Sequence, residues 1–198
     1  VGDLSGNNQK VMEAWEIARD ERSDLIAFPE MFITGYNPQD LILKNAFQKA
    51  ATSSIEQIAA ACSQGPAIAI GGPFCDDDKL YNSYYILADG KIQAVIKKHH
   101  LPNEEVFDEV RLFSSGNVDG PFQIGKMRIG SPICEDAWHT DIVETLAETG
   151  AQTLLVPNGS PYYRGKTDIR QNVMVSRVVE SGLPLVYLNL VGGQDDQV

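Results

Sequence analysis

Short apolar runs, each halted by proline, glycine or a charged side chain, alternate along this chain with stretches of helical periodicity. Leu25-Ile26-Ala27-Phe28 stops at Pro29, and Ala67 to Ile70 stops at Gly71-Gly72. Two further runs lie at residues 153–156 and 184–190. Runs this short and this apolar suit strands buried on both faces of a sheet. Between them, Val11, Trp15 and Ala18, with Met12 alongside, mark an amphipathic helix over residues 8–22, with Asn7 or Asn8 as N-cap. Two helical segments follow the turn Gly35-Tyr36-Asn37-Pro38 and reach about Cys62. Later helices are expected over residues 140–149 and 166–180. Asp89-Gly90 divides residues 80–88 from 91–96, and Gly125-Lys126 divides 121–124 from 127–133, so two hairpins interrupt the alternation. The pattern predicts one α/β layered domain with mixed sheets.

The 198 residues suit a single large domain, and 43% hydrophobic content is enough for its core. A formal charge of -11 repels phosphate, so nucleic acid and anionic membranes are excluded as expected partners. No apolar run approaches the roughly 20 residues that span a bilayer. With no leader-like segment in view, a cytoplasmic protein is expected. The three cysteines are too widely spaced for a disulfide framework or a zinc knuckle. His99, His100 and His139 read as exposed or core-satisfied, without metal-ligand spacing, so no metal site is expected. Gly71-Gly72 and Gly192-Gly193 lack the residues of a phosphate loop. Val1 at the start and the Gly-Gly close to Val198 suggest a piece cut from something longer.

Three apolar segments each end in a reactive side chain: Glu30 after Pro29, Lys98 after residues 92–97, and Cys134 after residues 129–133. Strand ends in α/β folds are rigid and open into crevices, where chemistry is easily placed. A thiol needs a base or a cation beside it to act near neutrality. A partly desolvated glutamate can take its proton and return it to a leaving amine. A fixed ammonium favours the thiolate and the oxyanion formed on attack. The set suits acyl transfer from an amide through a thioester. Taken singly, Glu30 could be a turn residue, Lys98 a solvated strand end and Cys134 a buried hydrophobe. The residues themselves leave open whether the three ends converge.

Phe28-Pro29-Glu30-Met31-Phe32-Ile33-Thr34-Gly35-Tyr36, Lys98-His99-His100-Leu101-Pro102-Asn103 and Ile133-Cys134-Glu135-Asp136 resemble the three signatures of the nitrilase (carbon-nitrogen hydrolase) superfamily. Pro38-Gln39-Asp40-Leu41, the run from Val106 to Phe113, Asn158-Gly159-Ser160-Pro161-Tyr162 and Leu190-Val191-Gly192-Gly193-Gln194-Asp195 are similar to the glutaminase domain of glutamine-dependent NAD+ synthetases. The resemblance implies a four-layer α-β-β-α sandwich, here without the family's first strand, over residues 1–198. It implies glutamine as substrate, cleaved to glutamate and ammonia with no cofactor in this domain. It also implies a linked synthetase domain that uses ATP, with Mg2+, to amidate deamido-NAD+, in a protein expected to form homo-oligomers. Glu30 takes the role of base, Lys98 of cation and Cys134 of nucleophile. Glu109 matches a further pocket carboxylate that would orient Lys98 or bind the substrate amine, and Ser160 a contact to the substrate's amino-acid end. Glu104 stands where the family's Leu-Pro-Asn-Tyr motif has its aromatic residue. The basic residue expected beyond Ser160 is assigned to Lys166, with Arg164 as the other candidate. The competing readings are a stand-alone amidase of the same superfamily and a catalytically silent interaction domain.

Overall fold

The computed structural model describes residues 1–104 and 106–193, so Gln194 and Asp195 of the last motif lie outside the described residues. Helices α1 (Leu4–Asp20), α2 (Asn45–Ala61), α3 (Glu109–Leu112), α4 (Thr140–Glu148) and α5 (Lys166–Ser181) alternate with eight strands. These are β1 (Leu25–Ala27), β2 (Ala67–Asp76), β3 (Lys79–Ala88), β4 (Lys91–Lys97), β5 (Phe122–Ile124), β6 (Met127–Gly130), β7 (Thr153–Asn158) and β8 (Leu185–Asn189). They form two sheets, ordered β1-β2-β3-β4 and β5-β6-β7-β8. Strand β1 runs parallel to β2, and the two pairs that follow are antiparallel. In the second sheet β5 and β6 form the hairpin, while β6, β7 and β8 run parallel.

Side-chain alternation divides the core into layers. On β3, Tyr85 and Leu87 join Ile68 and Ile70 of β2 against Val11 and Trp15 of α1 and Ile55 and Ile58 of α2. The opposite face, Tyr84 and Ile86 with Ala69, meets Phe122, Ile129 and Leu155 of the second sheet. Helix α4 covers the second sheet through Ile142, Val143 and Leu146, and α5 through Met174. The order helix, sheet, sheet, helix is the four-layer sandwich expected from the sequence, and strands buried on both faces explain the continuous apolar runs. Among the described residues, no helix is long and apolar enough to cross a membrane.

Three elements differ from expectation. Helix α1 starts at Leu4 because Asp3 is its N-cap, accepting from Gly6 N at 2.8 Å, while the Asn7 side chain donates to Ile33 O at 3.0 Å. Strand β2 does not stop at Ile70 but runs through Gly71-Gly72 to Asp76. A Cβ on Gly71 would lie 2.1 Å from Met31 N, so this glycine is there to let the turn after β1 lie against the strand. Gly71 N donates to Pro29 O at 3.2 Å and Gly71 O accepts from Ile33 N at 3.1 Å, which fixes that turn. Strand β6 ends at Gly130, short of residue 133, and Ser131-Pro132-Ile133 carry the chain off the sheet.

Candidate active site

Glu30, Lys98 and Cys134 do converge. Glu30 sits in the turn after β1, Lys98 is the first residue past β4, and Cys134 opens a 3-10 turn, Cys134–Trp138, after β6. All three leave the sheets at the same end of the sandwich, and Glu109 at the start of α3 joins them. Glu30, Lys98 and Glu109 are fully buried and Cys134 is 3% exposed. Cys134 takes φ +48°, a left-handed conformation that a non-glycine residue holds only when its surroundings enforce it.

The ammonium lies between two carboxylates. Lys98 Nζ is 2.7 Å from Glu30 Oε1, 3.0 Å from Glu109 Oε1 and 2.9 Å from Glu109 Oε2. Asn82 of β3 divides its amide between the same two groups, donating to Glu30 Oε1 at 2.8 Å and Glu109 Oε1 at 3.2 Å. The Tyr36 hydroxyl donates to Glu109 Oε1 at 2.9 Å, and Gly159 N donates to Glu30 Oε2 at 2.8 Å. Buried charges persist when they are paired and hydrogen-bonded in this manner.

Burial works against the Lys98 cation, but Glu109 and Glu30 more than offset it, so its pKa stands well above the ordinary lysine value. Burial pushes Glu109 up to about 7; Lys98 pulls it down and Glu30 pushes it up. Cys134 is driven well above the ordinary thiol range, by burial first and the Glu30 charge second, with Lys98 acting the other way. Of the two routes to a nucleophile, a preformed thiolate and a base-assisted thiol, the raised thiol fits the second. Cys134 lies close enough to feel the charges of Glu30, Lys98 and Glu109, which places a carboxylate beside the thiol. Cys62 is buried and its thiol is pushed up to about 11, whereas Cys75 is exposed and within reach of any alkylating reagent.

The other predicted residues lie around this cluster. Ser160 follows Gly159 and is locked by Asn189, which accepts from Ser160 N and donates to Ser160 O, both at 3.0 Å. Lys166, the first residue of α5, is 5% exposed, with its ammonium 4.7 Å from the Tyr163 ring centre and 5.8 Å from that of Phe107. Arg164 is exposed, which favours Lys166 as the basic residue of the pocket. Glu104 is exposed and lines a cavity of about 660 Å³ together with Phe107, Trp138, Tyr163 and Lys166. Phe107 also packs against Tyr36, with ring centres 6.3 Å apart, so the cavity abuts the carboxylate cluster.

Sequence reasoning gave no role to Asn82 or Asp136. Asn82 stands beside Ser83 in the middle of β3, and nothing in the sequence sets it apart. The histidines are not isolated either. His99, His100 and Asp141 offer ligand atoms within 4.8 Å of one another, which could hold a metal ion. Each already has an ordinary partner: His99 Nδ1 meets Gly116 O at 2.7 Å, and His100 Nε2 lies 3.0 Å from both Asp141 oxygens.

Comparison with known proteins places this arrangement. The glutamine-dependent NAD+ synthetase of Rhodobacter capsulatus is 52% identical over 198 residues, which cover all of this chain and 36% of that protein. The chain thus spans about a third of the length of the curated relatives it matches. The solved structure of the glutamine-dependent NAD+ synthetase of Acinetobacter baumannii, in complex with ADP, superposes with a TM-score of 0.94 at 34% identity, covering 100% of this chain and 38% of that one. An amidase from Nesterenkonia sp. shares the fold, with a TM-score of 0.85 at 23% identity over 100% of this chain and 74% of its own. The family sequence profile for carbon-nitrogen hydrolases matches residues 1–198, end to end. With the sandwich and the converging strand ends, that match makes this chain a member of the carbon-nitrogen hydrolase family.

Proposed function

We propose that this chain hydrolyses glutamine and that the ammonia feeds a linked synthetase domain. The observation that carries the reading is the Lys98 ammonium held between Glu30 and Glu109, with the buried Cys134 close enough to feel all three charges. In the proposed reaction Glu30 takes the Cys134 proton as the sulfur attacks the carboxamide carbon of glutamine. Lys98 faces the oxyanion as it forms, and charge fixed in a dry site stabilises a transition state far more than water does. Collapse expels the amine, which receives the proton from Glu30 and leaves as ammonia. Water, deprotonated by Glu30, then cleaves the thioester, and the restored thiol and glutamate complete the cycle. Glu109 holds Lys98 in place and takes no part in the proton traffic.

Lys166 and Glu104 line one cavity with opposite charges, which suits the carboxylate and ammonium ends of an amino acid, and Ser160 is proposed to contact the same end. The likeness to NAD+ synthetases supports deamido-NAD+ as the final acceptor, with ATP and Mg2+ used by the linked domain. Three free cysteines suit a reducing, cytoplasmic setting.

The test is Cys134→Ala in the full-length protein. Glutamine-supported NAD+ synthesis should fall to background, while a high concentration of free ammonia should restore it. A variant that still uses glutamine, or a folded one that cannot use ammonia, would overturn the reading.

A further inference from the structure

Beyond β4 the backbone of Lys98 is held on both sides: its N–H donates to Asn82 O of β3 at 2.9 Å and its carbonyl accepts from Gly116 N, in the segment after α3, at 2.8 Å. His99 and His100 have left the strand. Their two N–H groups turn to a side chain, donating to Asp136 Oδ1 at 3.1 and 2.7 Å. The other oxygen of the same carboxylate, Oδ2, accepts from Ile133 N at 3.1 Å, one residue before the left-handed Cys134. Asp136 is 3% exposed. One buried carboxylate therefore spans two chain segments, the one that delivers Lys98 and the one that delivers Cys134.

We propose that Asp136 is a positioning residue that sets the distance between the Lys98 ammonium and the Cys134 sulfur. An alternative is that Asp136 merely caps the 3-10 turn it belongs to. That accounts for Oδ2, which reaches back three residues to Ile133, but leaves Oδ1 unexplained. Two backbone donors from a segment 36 and 37 residues away meet there. Three N–H groups around one carboxylate make charge-assisted hydrogen bonds, stronger and stiffer than neutral ones. Burial raises the Asp136 pKa above the ordinary carboxylate value, while those bonds and the Lys98 charge pull the other way. A carboxylate also has the right chemistry to accept from both sides at once. An asparagine amide accepts on one side only and presents its own N–H groups to the other, so it can hold either segment but not both.

The effect on turnover rests on the glutaminase reading, whereas the effect on the thiol does not. The experiment therefore measures both in the full-length protein carrying Asp136→Asn. One readout is kcat and KM for glutamine. The other is the rate of Cys134 alkylation by iodoacetamide across pH, followed at that residue by mass spectrometry, with the Tm recorded alongside. Small displacements of reacting groups cost about 10²-fold in rate. We expect kcat to fall by that order with KM within about three-fold, the profile of Cys134 alkylation to move to higher pH, and the Tm to hold within a few degrees. An unchanged alkylation profile overturns the proposal whatever the activity does. A displaced profile in a protein whose wild type shows no glutaminase activity leaves the proposal standing and sinks the function assigned above. If Asp136→Asn does not fold, Asp136→Glu, which keeps the charge, is read in the same way. Failure of both to fold makes Asp136 a stability residue and overturns the proposal.

Discussion

Replacing Glu109 by glutamine should change how stability depends on pH, and the structure gives the size of the change. Glu109 is fully buried and its carboxyl is raised from 4.5 to about 7, chiefly by burial. A group whose pKa is raised on folding binds its proton more tightly in the native state. Its contribution is fully present below pH 4.5 and is lost as pH climbs through 7. At about 1.4 kcal/mol per pH unit, the interval from 4.5 to 7 corresponds to about 3 kcal/mol. Glutamine has the shape of the protonated acid and no proton to lose. The amide oxygen can still accept from the Tyr36 hydroxyl, and Glu30 remains as the counter-charge of Lys98. The unfolding free energy of Glu109→Gln, minus that of wild type, should therefore rise by about 3 kcal/mol between pH 4.5 and pH 8, whatever its starting offset. Denaturant titrations of both proteins at a series of pH values give that difference directly. Parallel curves would refute the reasoning, because they would mean that Glu109 ionises in the fold as it does in water.

Lys98→Met should lower kcat by 10²–10³, about 3 kcal/mol, with little change in KM, because the lost charge matters most when the oxyanion forms. Steady-state kinetics within a few-fold of wild type would show that the ammonium is not aimed at the reacting carbonyl. Gly71→Ala should destabilise the protein by about 3 kcal/mol or more and lower activity with it, since the new Cβ would sit 2.1 Å from Met31 N in the turn that carries Glu30. A Tm within a degree or two of wild type would count against that packing argument.

The layers were legible because they follow from periodicity, which is local. Val11, Trp15 and Ala18 fall on one face of α1 and are buried, as their spacing requires. The hairpin at Asp89-Gly90 pairs β3 with β4 as its turn residues demand. What could not be read depends on contacts distant in sequence. Gly71-Gly72-Pro73 has the composition of a turn, yet it is strand interior, because the backbone after β1 presses on Gly71. Helix α3 is four residues long, too short to show any period, so the family resemblance and no local pattern places Glu109 in the pocket; its partner Tyr36 lies 73 residues upstream. The meeting of Glu30, Lys98 and Cys134 is a fact of topology. The resemblance to a family anticipated it, and the residues themselves did not. Asn82 and Asp136 were missed for the same reason, since each bridges segments that no local pattern connects.

The cluster combines features that oppose stability: two buried carboxylates around one ammonium, a raised thiol and a non-glycine residue at φ +48°. Such costs persist where the surroundings over-determine the geometry. Here each charged group is held: Glu30 by Gly159 N, Lys98 by its place at the end of β4, and Glu109 by the buried Tyr36 hydroxyl. The arrangement also bears on when the nucleophile exists. With its pKa well above the ordinary thiol value, Cys134 is a protonated thiol at neutral pH, buried beside the Glu30 charge. Glu30 gains by taking the proton only once negative charge can be passed on to a carbonyl oxygen facing Lys98. An amide carbonyl in the pocket supplies that outlet and water does not. The same burial that destabilises the fold thus keeps the thiol protonated at neutral pH, and Glu109→Gln, which removes one buried carboxylate, should gain on wild type in stability as pH rises from 4.5 to 8.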